Sequence, residues 1–426
     1  MSNGYFVFEG YDYSFSKGQA AFHYQIFAKS RNYHFRETLS FPPVKNLNST
    51  REIIAKRVLD NLLLMLGISY WKTYCPRRIE IKPFSLSPAQ AEFWNKVYTK
   101  GLGEFFYKNK INFRGLVRFP SYETRSRKLS YETRSRKFRN RSLLMLGGGK
   151  DSIVAGELLK KRKKRFALYT LNPVPLHKKV GKLLGGEIIS LQRTLDPKLM
   201  RLNARWAYNG HVPVSAIYGF TGLLAAALHG YKYVVAANEK SANYGNIKYL
   251  GQTVNHQWSK SVEFEKLFRE YVREFITPDI TYYSLLRSYN ELKIAQMFSK
   301  YPQYFSVFSS CNTNFRLRQK FQVASGRLLD GTFDNGTKKW CGKCPKCAFV
   351  FAALAAFLPK NEVLIIFGKN MLADEKLIPV YKELLGIKGH KPFECVGTPE
   401  ETRRAFALIR KRGEFDRDPV IRTIEA

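Results

Sequence analysis

A chain of 426 residues that is 45% hydrophobic and 15% aromatic holds enough apolar material for two or three domains with real cores, which excludes a disordered or fibrous protein. Its 71 Lys and Arg against 34 Asp and Glu leave a formal charge of +37, a surface that attracts polyanions. No charged segment followed by an apolar core opens the chain, and its longest apolar run, Ala348 to Leu358, has eleven residues, too few to span a bilayer. A cytoplasmic protein without membrane insertion is therefore expected.

Aromatic and polar side chains alternate through the first forty residues, as in Tyr5-Phe6-Val7-Phe8-Glu9, and predict a small β-rich element with turns at Gly10 and Gly18. Ser49-Thr50-Arg51-Glu52 reads as a capping box before a helix carrying Ile53, Ile54, Val58, Leu59, Leu62 and Leu63. Ser87-Pro88-Ala89-Gln90 repeats the signal with proline at the first helical position. A direct repeat follows, Ser121 to Leu129 and then Ser130 to Phe138, nine residues each. A polar tandem duplication is best tolerated in an exposed linker and is assigned no chemistry. The expected organisation is an α+β domain over 1–120, a basic linker over 121–140, an α/β nucleotide domain over 141–310, and a cysteine-cluster and helical region over 311–426.

From residue 141 strands alternate with helices. The runs Phe166 to Leu171, Glu187 to Leu191 and Tyr233 to Ala237 are β-rich, with helical stretches near 175–185 and 213–230. The pattern predicts a doubly wound parallel sheet with ligands at the carboxyl ends of its strands. Leu143-Leu144-Met145-Leu146 leads into Gly147-Gly148-Gly149-Lys150-Asp151-Ser152, and an apolar helical run follows. Glycines let backbone approach an anion, and a new helix points unpaired N–H groups at it, so the loop predicts a phosphate site. It is not a Walker loop, because Asp151 stands where that motif needs Ser or Thr. The block Lys160 to Arg165, six basic residues in a row, is better explained as a solvated helix end than as an RNA contact.

Cys341, Cys344 and Cys347 lie within seven residues, and Cys311 is the nearest fourth. Four thiolates at such spacing suit a structural Zn2+. A ferredoxin-type cluster would want Cys at 351, where Phe stands. Cys75 and Cys395 have no such neighbours and read as core residues or pocket lining.

The glycine loop resembles the Ser-Gly-Gly-x-Asp-Ser loop of PP-loop ATP pyrophosphatases, which cleave ATP to AMP and pyrophosphate on a HUP-like fold. The resemblance implies ATP and Mg2+ as cofactors, with Gly147, Gly148, Gly149, Lys150, Asp151 and Ser152 at the nucleotide. Gly147 departs from the usual Ser, so one hydrogen bond to phosphate must be replaced or omitted. The order of loop and cysteine turn is similar to that of 7-cyano-7-deazaguanine synthase, across the nucleotide domain only.

A wider resemblance rests on Gly147 to Ser152, Val254-Asn255-His256-Gln257-Trp258-Ser259-Lys260-Ser261, Ser310-Cys311-Asn312, Trp340 to Val350, and Lys391-Pro392-Phe393-Glu394-Cys395-Val396-Gly397. With these the chain resembles the UDP-N-acetylmuramoyl-L-alanyl-L-glutamate epimerase family. That implies a UDP-linked muramoyl dipeptide as substrate and inversion of its terminal glutamate through an acyl adenylate. Such chemistry needs an acid or base on each side of the α-carbon. His256 and Lys260 lead as catalytic candidates, with Glu239 and Lys240 next. Ser259 and Ser261 serve equally well as caps of a helix near Val262, and Glu394 and Cys395 either face the pocket or form a turn around a packed Phe393. The rivals are a carboxylate-activating or tRNA-modifying enzyme of the same loop class, and a basic nucleic-acid-binding protein whose nucleotide site regulates.

Overall fold

Where the N-terminal sequence alternates, the chain pairs with itself. The computed structural model describes residues 4–123, 138–313 and 339–424. Nearly all of the tandem repeat lies outside the described residues. β1 (Tyr5–Ser14), β2 (Gln19–Ala28) and β3 (Arg31–Ser40) form an antiparallel meander, and β4 (Arg78–Ile81) runs parallel to β1. β5 (Arg139–Met145), β6 (Phe166–Leu171), β7 (Ile188–Thr194) and β8 (Tyr231–Ala236) are mutually parallel in their pairings. A short hairpin of β9 (Ile247–Tyr249) and β10 (Gln252–Val254) stands apart, and β11 (Thr281–Ser284) pairs parallel with β8.

One nine-stranded sheet results, in the order β11-β8-β5-β6-β7-β3-β2-β1-β4, so the molecule is α/β with a largely parallel centre. The strand order reverses between β5 and β8, because β6 and β7 continue to one side and β11 to the other. In such sheets the crevice at the reversal, outside the carboxyl ends of the strands, is where ligands sit. The N-terminal meander joins the sheet through antiparallel β3 and β7. There the buried Glu37 accepts two hydrogen bonds from Arg193, at 2.6 and 3.1 Å, a paired charge that holds the junction in register.

Helices cover the sheet. α1 (Ser49–Trp71) is buried over most of its length and packs on β1, β2 and the helix Val214–His229. Gly67 permits this approach, since a Cβ there would stand 2.4 Å from the Phe8 ring. The cap of α1 is Asn48, which accepts from the Arg51 amide three residues on, and not Ser49, whose capping box would have used the Glu52 amide. α2 (Pro88–Gly101) carries the expected Ser87–Gln90 capping box. α3 (Gly103–Lys108) follows directly, and α4 (Lys150–Lys161) leaves the glycine loop. The basic run Lys160 to Arg165 is exposed at the end of α4. Among the described residues no helix is long and apolar enough to cross a membrane.

Candidate active site

The glycine loop lies at the carboxyl end of β5, beside the reversal. Gly148 has φ +77°, and a Cβ there would come within 2.0 Å of Leu176, so only glycine makes this bend. Gly147 faces open space, with nothing within 4 Å of a Cβ position. Gly149 caps α4 without a side-chain hydrogen bond, which leaves the first amides of that helix to a ligand or water. Ser152 turns back to the Gly149 carbonyl at 3.0 Å. The Ser309 amide closes on the Gly148 carbonyl at 3.2 Å and brings Ser310 against Gly149. The Ser310 hydroxyl oxygen is buried and makes no hydrogen bond among the described residues.

Lys150 points inward. It is 1% exposed and pairs with Asp151 and with the fully buried Glu291. Asp151, Glu239 and Glu291 place carboxylate oxygens within 4.8 Å of one another. Glu239, just beyond β8, is fully buried with both oxygens free of hydrogen bonds among the described residues. Burial lifts its carboxyl to about 7; Glu291 and Asp151 push the same way and Lys260 opposes them. An all-carboxylate donor set with unsatisfied oxygens fits Mg2+. Lys240, next in sequence, is exposed and outside this cluster.

The β10 turn delivers the second group. Asn246 accepts from the His256 amide at 2.8 Å and donates to the carbonyls of Lys391 and Pro392 at 3.1 and 2.8 Å. Gln257 donates to the Val396 carbonyl at 3.2 Å. The segment Lys391 to Gly397 is thereby stitched onto the His256 turn. Arg287 binds the carbonyls of Glu239 and Lys260, each at 2.8 Å, and so fixes those two residues beside each other. Ser259 is buried, and Ser261 caps the helix Val262–Tyr271 by accepting from Phe264.

On α3, Glu104 receives a hydrogen bond from His256 Nδ1, lies 3.5 Å from His211 Nδ1, and pairs with Lys108. The two imidazole rings stand 4.5 Å apart. The Cys395 thiol lies close enough to His256 for each to act on the other's ionisation. Burial works against charge on each member. Even so, His256 and His211 draw Glu104 down to about 2, and Cys395 and Glu104 raise His256 to about 9. Burial likewise opposes a thiolate at Cys395, yet Lys260, His256 and Lys346 bring it down to about 6. Cys395, His256 and Lys260 are each half-buried. Lys391 is 4% exposed, its ammonium lacks a hydrogen bond among the described residues, and burial lowers it to about 8.

The four cysteines converge. Cys344 and Cys347 sulfurs are 3.4 Å apart, those of Cys341 and Cys347 3.7 Å, and all four, Cys311 included, lie within 4.8 Å. A tetrahedral site with Zn–S near 2.3 Å has sulfurs about 3.8 Å apart, so the set fits zinc. The amides of Cys341 and Cys347 point at the sulfurs of Cys311 and Cys344, each at 3.4 Å. Lys346, inside the cysteine turn, gives its amide to Glu394 at 2.8 Å and its ammonium to the Cys395 carbonyl.

Of the sequence candidates, the structure therefore brings His256, Lys260 and Glu239 into one cluster with Cys395 and leaves Lys240 at the surface. Sequence reading did not find Glu104, His211 or Glu291. Each lies far along the chain from its partners, in a segment without a motif.

The family model for the MurL N-terminal domain matches residues 2–285, and that for the MurL C-terminal domain matches residues 307–426. The UDP-N-acetyl-alpha-D-muramoyl-L-alanyl-L-glutamate epimerase of a Micromonospora species is 37% identical over 420 residues, 98% of this chain and 90% of that protein. The enzyme of that name from Xanthomonas oryzae pv. oryzae is 36% identical over 93% of this chain and 84% of its own length. The one from Salinispora tropica is 36% identical over 98% and 87%.

Proposed function

Because the chain belongs to the MurL family of UDP-N-acetyl-alpha-D-muramoyl-L-alanyl-L-glutamate epimerases, we propose that it inverts the terminal glutamate of that peptidoglycan precursor at the expense of ATP. The carrying observation is that the three carboxylates at the amino end of α4 neighbour Lys260, which in turn neighbours Cys395 and His256. One part is suited to a nucleotide and the other to proton transfer.

The reaction follows from the difficulty of the substrate. Removing the α-proton of a carboxylate would set carbanion charge beside an existing negative charge. Attack of that carboxylate on the α-phosphorus of ATP releases pyrophosphate and gives an acyl adenylate, whose carbonyl accepts the carbanion as an enolate. Protonation from the opposite face and hydrolysis then yield the D-glutamyl product and AMP. Gly147 to Gly149 and the first amides of α4 would hold the outer phosphates. Asp151, Glu239 and Glu291 would hold Mg2+, which supplies charge neutralisation for the departing pyrophosphate. Lys260, with Glu239 and Cys395 as neighbours, would meet negative charge developing between them. Zinc at the four cysteines would serve structure.

Incubation with ATP, Mg2+ and the L-glutamyl precursor in deuterated water tests the reading. AMP, pyrophosphate, deuterium at the α-carbon and D-glutamate after acid hydrolysis are expected, and Asp151→Asn should abolish all four. Release of ADP and orthophosphate, or no nucleotide consumption, would overturn it.

A further inference from the structure

Of the two thiols outside the cysteine cluster, Cys395 is half-buried, whereas Cys75 is buried and its thiol is pushed up by that burial. It is also held from several sides. Its carbonyl takes the Lys346 ammonium, its neighbours Lys391, Pro392 and Val396 are bound by Asn246 and Gln257, and its thiol meets His256. The charged and titratable groups facing it are Lys260, His256, Lys346 and Lys391, with Glu104 behind His256. A carboxylate at Glu104 only accepts, so His256 Nδ1 carries its proton there. The ring is thus oriented as in nucleophile–base–carboxylate sets, although the chemistry differs. A second, independent sign of a ligand is Lys391, buried on the same segment with an ammonium that no described residue hydrogen-bonds.

We infer that Cys395 is the catalytic acid–base group on one face of the glutamyl α-carbon, with His256 and Glu104 as its positioning residues. The inference rests on the adenylation reading above. The Cys395 thiolate takes the α-proton, the S–H bond forms as the C–H bond breaks, and the electron pair of that bond moves onto the acyl carbonyl as an enolate. A proton from the opposite face then restores the carbonyl with inverted configuration. Cys395 returns its own proton to solvent before the next turnover. No electron transfer or co-reactant beyond ATP and water is needed.

The test separates the two half-reactions on the full-length enzyme. In Cys395→Ala and Cys395→Ser, substrate-dependent exchange of labelled pyrophosphate into ATP should stay within about threefold of wild type, while α-deuterium incorporation falls at least about 100-fold. His256→Asn and Glu104→Gln should move the pH profile of Cys395 alkylation by iodoacetamide to higher pH while the plateau rate at high pH stays within about twofold of wild type, a split that loss of local structure would not produce. Deuterium incorporation near the wild-type rate in either Cys395 variant overturns the inference. So does loss of both half-reactions together in both variants, or a substrate thioester on Cys395 found by mass spectrometry. Should the wild-type enzyme show no substrate-dependent pyrophosphate exchange, the adenylation reading fails on its own, and the loss or retention of α-deuterium incorporation still decides the role of Cys395.

Discussion

Ser310 answers a question posed by Gly147. Gly147 faces open space, so on the proposed reading this loop offers phosphate no side-chain hydrogen bond at that position. The Ser310 hydroxyl reaches the other side of the same loop, against Gly149, with no protein partner to satisfy it. A hydrogen bond to a charged group is worth about 1.5–3 kcal/mol. Ser310→Ala should therefore raise the KM for ATP by about tenfold or more without lowering the melting temperature. Gly147→Ser in that background should recover most of the loss, because a side chain at 147 meets no neighbour. An unchanged KM in the single variant would remove Ser310 from the proposed nucleotide site.

Among the elements, the cysteine turn and the helix Pro345–Ala355 are one unit, since Cys344 is at once a candidate ligand and the cap that accepts from the Cys347 amide. The same turn grips Glu394 and Cys395 through Lys346, so the cluster holds the Cys395 segment in place. The purified protein should carry one zinc per chain by elemental analysis. Cys341→Ser should lose that metal, lower the melting temperature by about 5 °C or more, and reduce turnover by loosening the Cys395 segment. Full activity and stability in metal-free protein would contradict this support. The convergence of the cysteines and the glycine bend were legible as local structure because their residues are contiguous: three thiols within seven residues, and three glycines between a strand and a helix. The parallel strands were legible from their apolar runs. The pairing of Glu104 with His256 spans 152 residues, and Glu291 reaches Lys150 across 141, so no local pattern marks either. The cap of α1 shifted by one residue because Asn48 and Ser49 are both competent caps and only the backbone path chooses between them.

At the scale of the molecule, the crevice is a place where distant segments are fastened by charge. Glu104 on α3, His256 after β10 and His211 before the helix Val214–His229 meet there, with Lys108 and Lys72 nearby and Cys395 on the far side of His256. This has a pH signature. The Glu104 carboxyl lies at about 2 against an ordinary 4.5, so its contribution is complete above about 4.5 and is lost as pH falls through 2. His256 lies at about 9 against an ordinary 6.5, so its contribution is complete below 6.5 and is lost as pH rises through 9. Both are in force together only between about pH 4.5 and 6.5. Thermal unfolding of wild type and Glu104→Gln across pH 4 to 10 should then show the wild-type advantage largest in that window and shrinking steadily up to about pH 9. Curves that run parallel over the whole range would mean that the pair does not couple these segments, and Cys395 would lose the partner that orients it.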